Sequence, residues 1–345
     1  MNGNENGYLG EKPVVYYDDV NKHMGGVTCL DIKYLLVLQE IRESAPEWIN
    51  NLMQLITDTA GGILILLIPM IVFFCVDKKK GEFIWISLVI ASVINVFVKC
   101  LFCVYRPWIR SELINPSAKA IEGAGDYSFP SSHTQGSASA FGSLAFVYRK
   151  KKLLSIICIC VILLVAFSRN YLGVHTPQDV LAGLFIAIVG IALTCLIQKK
   201  IDGSEKNRII FYGIAVVTIM LALLFVSMKE YPADFDASGN ILYDPLRSIS
   251  SFASKAGLAI GLLTAWILEE KYIAFSTENL TFGRRIIRAV IGILLYFLMA
   301  IIAAGVSSII PIAWVAAFMQ NAILYFGVIF FAPLIFTKIE SHSRS

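Results

Sequence analysis

Long runs of apolar residues alternate with short polar segments along most of this 345-residue chain. About nine of these runs approach the roughly 20 residues that an α-helix needs to cross a bilayer. We predict spans at residues 59–76, 83–105, 131–148, 153–170, 178–198, 209–228, 250–268, 286–306 and 312–337. The pattern indicates an all-α fold, a polytopic transmembrane helical bundle.

The N-terminal 58 residues follow a different pattern. Residues 1–30 are polar, with neither a basic start nor an apolar run, so we interpret them as a loose arm without a cleavable signal peptide. In residues 31–56 apolar positions recur at helical spacing among charges, and Pro46 divides the stretch. This predicts two amphipathic helices that lie at the membrane interface.

Composition supports the membrane class. Hydrophobic residues make up 57% of the chain and charged residues only 16%, whereas soluble domains carry about 25% charged residues. The net charge of +4 comes without a basic run among aromatics, so no nucleic-acid partner is expected. Six of the seven cysteines fall in apolar runs, which favours small helix residues over disulfides or a metal site.

Basic residues are concentrated in every second loop. The basic loops and the C-terminus together contain 17 of the 29 Lys and Arg residues: Lys78, Lys79, Lys80, Arg149, Lys150, Lys151, Lys152, Lys199, Lys200, Lys206, Arg208, Lys271, Arg284, Arg285, Arg288, Lys338 and Arg344. Because cytoplasmic loops are enriched in basic residues, this set predicts the cytoplasmic side. The N-terminal arm then lies outside and the C-terminus inside.

Three segments place polar chemistry at the opposite, external side of the predicted bundle. They are "KCLFCVYRP" at 99–107, "FPSSHTQGS" at 129–137 and "SRNYLGVHTPQD" at 168–179. Alternating spans bring the end of the second, the start of the third and the junction of the fourth and fifth to one side. Ionisable residues at membrane depth are candidates for a functional site.

The cations in these segments favour an anionic ligand with several oxygens. Lys99 and Arg106 are seven residues apart, which places them on one helix face about 10 Å apart. Arg169 adds a third cation, and the planar fork of arginine suits phosphate. Ser131 and Ser132 open a predicted helix, where free N–H groups and hydroxyls also bind oxyanions.

Two histidines and a carboxylate complete a set of residues suited to phosphoryl transfer. Thr176 and Pro177 suit the start of a helix, and Asp179 follows His175 by one turn. A carboxylate on one imidazole nitrogen orients the ring and leaves the other nitrogen as nucleophile or base. His133 can then act as general acid on the leaving oxygen. Such chemistry needs no metal, because the cations neutralise the transferring oxygens.

The motifs K-x6-RP, PSxH and SR-x5-H-x3-D, in this order, resemble the signature of the type 2 phosphatidic acid phosphatase (PAP2) superfamily. The resemblance covers residues 99–179, with a similar helical setting over about 59–228. It implies that Lys99, Arg106, Ser131, Ser132 and Arg169 bind the phosphate, that His133 is the general acid, that His175 forms a phosphohistidine and that Asp179 orients it. Ser132 stands where the family often has glycine, which leaves the loop geometry there open.

We therefore interpret the chain as an integral membrane lipid-phosphate phosphatase that needs no cofactor or metal. Residues 1–58 form the arm and interfacial helices, 59–228 the catalytic core, and 229–345 an extension with about three spans. The site is expected at the external, periplasmic or extracellular, face of a prokaryotic-type plasma membrane. The partners are the lipid substrate and the bilayer, and the last spans are candidates to widen the lipid slot or form a homo-oligomer surface.

Several substrates and activities fit these residues. Phosphatidate, phosphatidylglycerol phosphate, a sphingoid-base phosphate and undecaprenyl diphosphate all fit as substrates. A lipid phosphotransferase would use the same site, and an anionic-lipid transporter would use the cations alone; a vanadium haloperoxidase shares the motifs but not the spans. Lys255, the other charge within a span, is interpreted either as extending to the external surface or as functional. Asp126 and Tyr127 are interpreted mainly as loop residues.

Overall fold

The computed structural model describes residues 27–235, 239 and 241–342, with the side chains of 27–29 and 342 excepted. The predicted arm therefore lies, up to residue 26, outside the described residues. The described part is helical, without a β-strand; one isolated bridge pairs Phe235 with Ile241. The all-α prediction is confirmed. In chain order the helices are α1 (Val27–Ser44), α2 (Glu47–Asp58), α3 (Leu64–Ile71), α4 (Lys78–Phe102), α5 (Pro107–Arg110), α6 (Ala118–Glu122), α7 (Ser132–Val147), α8 (Lys152–Tyr171), α9 (Pro177–Ile201), α10 (Glu205–Met228), α11 (Pro245–Tyr272), α12 (Phe282–Ser308) and α13 (Ala313–His342).

The continuous helical segment that contains the first predicted span begins at Glu47, before the predicted boundary at residue 59. Pro46 ends the α1 segment, because proline lacks the N–H that a continuing helix requires. Helix α2 then continues through π-helical turns at Thr59–Ile63 and Val72–Val76, so that Glu47–Val76 forms one candidate span. The first π-helical turn contains Gly61 and lies beside the candidate site, a common location for such turns.

Eight helices in the described part of the chain are long and apolar enough to cross a membrane. The remaining predicted span, residues 131–148, corresponds to α7, which has only 16 residues. It still reaches the far end of α4, since the rings of Phe146 and Phe83 stack 5.3 Å apart and Lys80 lies over Tyr148. Its serines, alanines and glycines allow α4, α8 and α9 to pack around it closely.

Helix α1 is held against the loops at the site end of the bundle. Arg110 pairs with Asp31 at 2.9 Å. Arg42 donates to the carbonyl oxygens of Tyr171, at 2.9 Å, and Asn115. These bonds join α1 to the ends of α5 and α8 and to the segment after α5, so the helix lies against the end of the bundle where the candidate residues lie.

The last three long helices pack on α4 and the first span in one apolar core. Phe73, Phe252 and Trp266 are almost inaccessible within it. Arg288 closes this core at the end opposite the site, where it pairs with Glu340 at 2.7 Å and donates to the carbonyl of Phe74 at 3.1 Å. The extension is therefore part of the same bundle as the core.

Close backbone contact between α11 and α13 depends on two glycines spaced four residues apart. A Cβ at Gly257 would overlap the carbonyl oxygen of Phe318, and a Cβ at Gly261 would overlap that of Ala322. Small residues at this spacing let membrane helices approach each other closely. Neither carbonyl is the flexible end of a side chain, so the helices must move apart to admit a larger residue.

We expect Gly261→Val to lower the free energy of unfolding by about 1–3 kcal/mol, the usual cost of overpacking, and to loosen the extension. Thermal unfolding in detergent measures this effect. Gly305→Val is the matched control, because a Cβ at Gly305 meets nothing within 4 Å. Equal loss in both variants would mean that helix propensity, and not the α11–α13 contact, is responsible.

Candidate active site

The structure brings all eight predicted site residues to one end of the bundle. Lys99 lies in the last turn of α4, and Arg106 caps α5. Ser131 caps α7, which begins with Ser132 and His133. Arg169 lies in the last turn of α8, and His175 and Asp179 flank the start of α9. Every one of these positions is a helix terminus, which explains how residues 80 positions apart in sequence meet.

The carboxylate of Asp179 orients His175. Oδ2 of Asp179 lies 3.3 Å from Nδ1 of His175 and accepts from the backbone N–H of Thr176 at 2.8 Å. It also accepts from the hydroxyl of Ser128 at 2.6 Å. Thr176 accepts in return from the N–H of Asp179, which completes a capping box with Pro177 at the first helical position. One carboxylate thus both starts α9 and holds the imidazole.

The tautomer of His175 follows from its neighbour Arg106. Nη1 of Arg106 lies 2.9 Å from Nε2 of His175. A guanidinium can only donate, so Nε2 must accept and carry the lone pair. Nδ1 then carries the hydrogen and donates to Asp179. This arrangement leaves the lone pair of His175 on Nε2, the nitrogen that faces Arg106.

Burial and charge keep His175 neutral. The ring is 1% exposed. Burial, together with the nearby guanidinium groups of Arg106 and Arg169, lowers the pKa of His175 well below its usual value. A neutral imidazole is the form that can attack phosphorus, because the protonated ring has no free lone pair.

Backbone carbonyls hold two of the cations in place. Nζ of Lys99 donates to the carbonyl oxygens of Tyr127, at 2.6 Å, and Ser128, at 3.3 Å. Nε of Arg106 donates to the carbonyl of Asp126 at 2.7 Å. The loop that precedes α7 therefore positions both cations. The sequence suggested mainly loop residues at 126 and 127, but the carbonyls of residues 126–128 bind Lys99 and Arg106.

Arg169 has donor capacity to spare. Its Nη1 donates to the hydroxyl of Thr57 at 2.8 Å. Its Nε and Nη2 are buried without a partner among the described residues. A buried unpaired guanidinium nitrogen is costly, and a bound oxyanion would satisfy both donors through the same fork.

The charge balance of the cluster is positive. Lys99, Arg106 and Arg169 contribute three positive charges, and Asp179 is the one carboxylate bonded to His175 in the described part of the chain. The carboxylate of Asp126 also acts on Lys99 and Arg106, so three cations face two carboxylates when His175 is neutral. The remaining positive charge favours an anion such as a phosphate ester.

The hydroxyls of the two serines already have partners inside the protein. The Oγ of Ser131 accepts from Thr134, and its backbone N–H donates to the carbonyl of Asp179 at 2.9 Å. The hydroxyl of Ser132 donates to Oδ1 of Asn95 at 2.9 Å. An anion could still accept from the O–H of Ser131, which only accepts in these bonds, and from the N–H groups at the start of α7, which have no acceptor within the helix.

His133 faces the first π-helical turn. A Cβ at Gly61 would lie 3.2 Å from Cδ2 of His133, and one at Gly123 would lie 3.9 Å from its Cε1. Gly61 therefore allows the first span to pass close to the ring. The imidazole makes no hydrogen bond with the described residues and lines a cavity in the bundle.

Two models of one protein family match the chain. The model described as the PAP2 superfamily matches residues 83–202, and every predicted site residue lies in that range. The model described as the PAP2 superfamily phosphatase transmembrane extension matches residues 253–344. The chain belongs to the PAP2 superfamily. The second match covers the last three helices, for which the sequence motifs carried no resemblance.

Curated relatives of this PAP2 chain are phosphatases. It is 29% identical to phosphatidylglycerophosphatase B of Bacillus subtilis over 168 residues, which cover 46% of this chain and 80% of the relative. It is 32% identical to an undecaprenyl-diphosphatase of Sulfolobus acidocaldarius over 114 residues, or 33% of this chain and about half, 53%, of the relative. No solved structure matches the chain. The PAP2 assignment and these phosphatase relatives together support a phosphoric ester hydrolase.

Several polar residues at this PAP2 site could not be found from the motifs. Ser128 contacts the carboxylate of Asp179, Thr57 contacts Arg169, and Asn170 donates to the carbonyl of His175 at 2.8 Å. The signal available in the sequence was the occurrence of single polar residues within or beside apolar segments.

In the described residues, no group of three or more His, Cys, Asp or Glu side chains is placed to hold a metal ion.

Proposed function

We propose that this protein hydrolyses the phosphate monoester or diphosphate of a membrane lipid through a phosphohistidine on His175, without a metal. The observation that carries the proposal is the array Arg106–His175–Asp179, at 2.9 and 3.3 Å, beside the unpaired nitrogens of Arg169. It combines an oriented neutral nucleophile with an anion cradle. The cradle supplies the charge neutralisation that a metal provides elsewhere.

In the first step the lone pair on Nε2 of His175 attacks phosphorus, and the bond from phosphorus to the leaving oxygen breaks. His133, which takes up a proton when the anionic substrate enters among the cations beside it, gives that proton to the leaving oxygen. Arg106 donates to Nε2 before substrate binds, so it must turn its donor to a phosphate oxygen to free the lone pair. The positive charge that develops on the ring is stabilised by Asp179.

In the second step a water molecule attacks the phosphohistidine on the side opposite Nε2. Neutral His133 takes a proton from the water, the bond from nitrogen to phosphorus breaks, and phosphate leaves. The electron pair returns to Nε2 of His175. Both histidines then have the protonation states in which the first step began, so the cycle closes without another reactant.

A lipid substrate fits the depth of the site. The nucleophile lies at the end of a bundle whose long helices are apolar enough to cross a membrane, so the anchor of a lipid stays in the bilayer while its phosphate enters the cradle. The names of the relatives contain phosphatidylglycerophosphatase and undecaprenyl-diphosphatase, which supports a lipid phosphate as the substrate.

We place this site at the external face and the C-terminus in the cytoplasm. Support comes from the opposite end of the bundle, where Lys78 pairs with Glu269 and Arg208 with Glu270, each at 2.7 Å. Basic residues concentrate at that end, as expected for a cytoplasmic side. Sealed right-side-out vesicles should then release phosphate from added lipid without permeabilisation, whereas turnover only by inverted vesicles would reverse the orientation.

Phosphate release by the detergent-purified protein tests the activity. We would supply phosphatidate, sphingosine phosphate and undecaprenyl diphosphate, each in the presence of EDTA, with the His175→Ala protein as background control. The expected result is turnover of at least one lipid by the wild type. Strict dependence on added magnesium would overturn the metal-independent mechanism, and transfer of phosphate to an acceptor lipid without free phosphate would identify a phosphotransferase.

A further inference from the structure

An apolar cavity of about 670 Å³ lies between the catalytic core and the C-terminal extension. Its walls come from the first span, α4, the start of α7, and all three helices α11, α12 and α13. Asn95 and Trp85 both line it on α4. Ten residues of helix separate them, which corresponds to about 15 Å along the bundle. The cavity therefore has the depth and the lining that suit a hydrocarbon chain.

The cavity meets the candidate site at His133. His133 and Ser132 line its upper end, whereas His175, Arg106 and Arg169 do not line it. His133 is the proposed donor of a proton to the leaving oxygen. The leaving group must therefore lie on the His133 side of the reacting phosphate, which is the side where the cavity opens.

Among the residues that the structure describes, Lys255 is the one lysine or arginine that lines this cavity. It lies on α11 in the extension. The sequence allowed Lys255 to extend to the external surface, but the structure places its side chain among the cavity walls instead. Its ammonium makes no hydrogen bond or ion pair with any residue that the structure describes, whereas Lys99 and Arg106 are held by carbonyls.

The position of Lys255 is tied to the site. One turn before it on α11, the hydroxyl of Ser251 donates to the carboxylate of Asp126 at 2.9 Å. The carbonyl of the same Asp126 accepts from Arg106. Ser251 thus joins the extension to the loop whose carbonyls bind Lys99 and Arg106. Lys255 lies one turn after Ser251 on the same helix.

We propose that this cavity holds the lipid leaving group and that Lys255 binds a phosphate that remains on it. The proposal rests on the phosphatase function above and narrows its substrate class to lipids with a second phosphate. An alcohol leaving group carries no charge and would leave the ammonium unpaired in an apolar cavity, which is unfavourable. A leaving group with its own phosphate supplies the missing anion.

Two lipid types share this chemistry. In a polyprenyl diphosphate the second phosphate is bonded directly to the leaving oxygen. In phosphatidylglycerol phosphate it is a phosphodiester a few bonds farther away. Phosphatidate has only the reacting phosphate and is the comparison substrate. The three lipids therefore separate a general need for a second phosphate from a need for one at a particular distance.

The test compares Lys255→Met with wild type by kcat/KM on these three lipids. We expect a loss of roughly ten- to a hundredfold on at least one of the two lipids that carry a second phosphate, the usual range for a hydrogen bond to a charged group. The loss on phosphatidate should stay within about threefold. Lys255→Arg should recover most of the activity, because it restores the charge.

The matched control is Lys229→Met, which removes a cation from the extension outside the cavity walls and should leave the preference unchanged. Equal losses on all three lipids in Lys255→Met would overturn the role of Lys255 while the phosphatase function stands. No turnover of any lipid by wild type would instead overturn the proposed function.

A measurement on wild type remains decisive if Lys255→Met does not fold. The lipid product that keeps its phosphate, such as a polyprenyl phosphate, should inhibit phosphatidate hydrolysis at least tenfold more strongly than the matching polyprenyl alcohol. Equal inhibition by the two products would contradict a cation that reads the second phosphate.

Discussion

Replacing His175 with alanine is expected to lower kcat for phosphate release by at least about 10⁴-fold, the scale seen when a covalent nucleophile is removed. The variant loses the nitrogen whose lone pair faces Arg106 at 2.9 Å, and no phosphoenzyme can form at that position. The cradle cations stay in place, so lipid should still bind. The measurement is the initial rate of phosphate release at saturating lipid.

Trapping of the intermediate separates this loss from unfolding. With a substrate labelled on the reacting phosphate, rapid alkaline quenching should leave labelled wild-type protein and unlabelled His175→Ala. Asn170→Ala is the control for local damage, since it removes only the donor to the carbonyl of His175. An alkali-stable label that persists in His175→Ala would move the nucleophile to His133, the other histidine at the site.

The convergence of the site was predictable because alternation of spans assigns every loop to one side. Lys99, His133 and Asp179 belong to three motifs, and each motif adjoins a span end on the non-basic side. The cap formed by Thr176, Pro177 and Asp179 was also readable, since its residue types occur at fixed offsets. Local rules and loop charge were thus enough to assemble the motif residues at one end.

The continuity of α2 with the first apolar segment was not predictable by the same means. Residues after Pro46 have mixed polarity, with charges and amides on one face of α2, and this pattern is typical of an interfacial helix. In the structure the helix instead continues through a π-helical turn into the apolar segment. A helix that is partly covered by neighbouring helices can keep polar residues such as Thr57, which then serves Arg169.

The direction of Lys255 was equally beyond the sequence. Helix α11 carries small and apolar residues on most of its faces, so the hydrophobic pattern does not say which face meets the core. The close approach of Gly257 and Gly261 to α13 sets that rotation. A contact between helices distant in sequence therefore decides whether the lysine meets the lipid or the cavity.

Asp179→Asn is expected to lower kcat by about 10²–10⁴-fold with a smaller change in KM, as when the carboxylate beside a catalytic histidine is neutralised in a hydrolase triad. Asparagine keeps an oxygen that can accept from the N–H of Thr176 and from Ser128. It lacks the negative charge that stabilises the ring once Nε2 is bonded to phosphorus. Its amide can also donate to Nδ1, which would favour the tautomer with hydrogen on Nε2.

The capping role of Asp179 has to be separated from its role at the ring, and Thr176→Ala does so. That variant removes the other half of the capping box but leaves the carboxylate beside His175. It should lower the free energy of unfolding by about 1 kcal/mol and change kcat by less than about threefold. If Asp179→Asn and Thr176→Ala lost kcat equally, in proportion to their loss of stability, Asp179 would act only as a helix cap. A large loss confined to Asp179→Asn, at unchanged melting temperature, would instead tie the charge to catalysis.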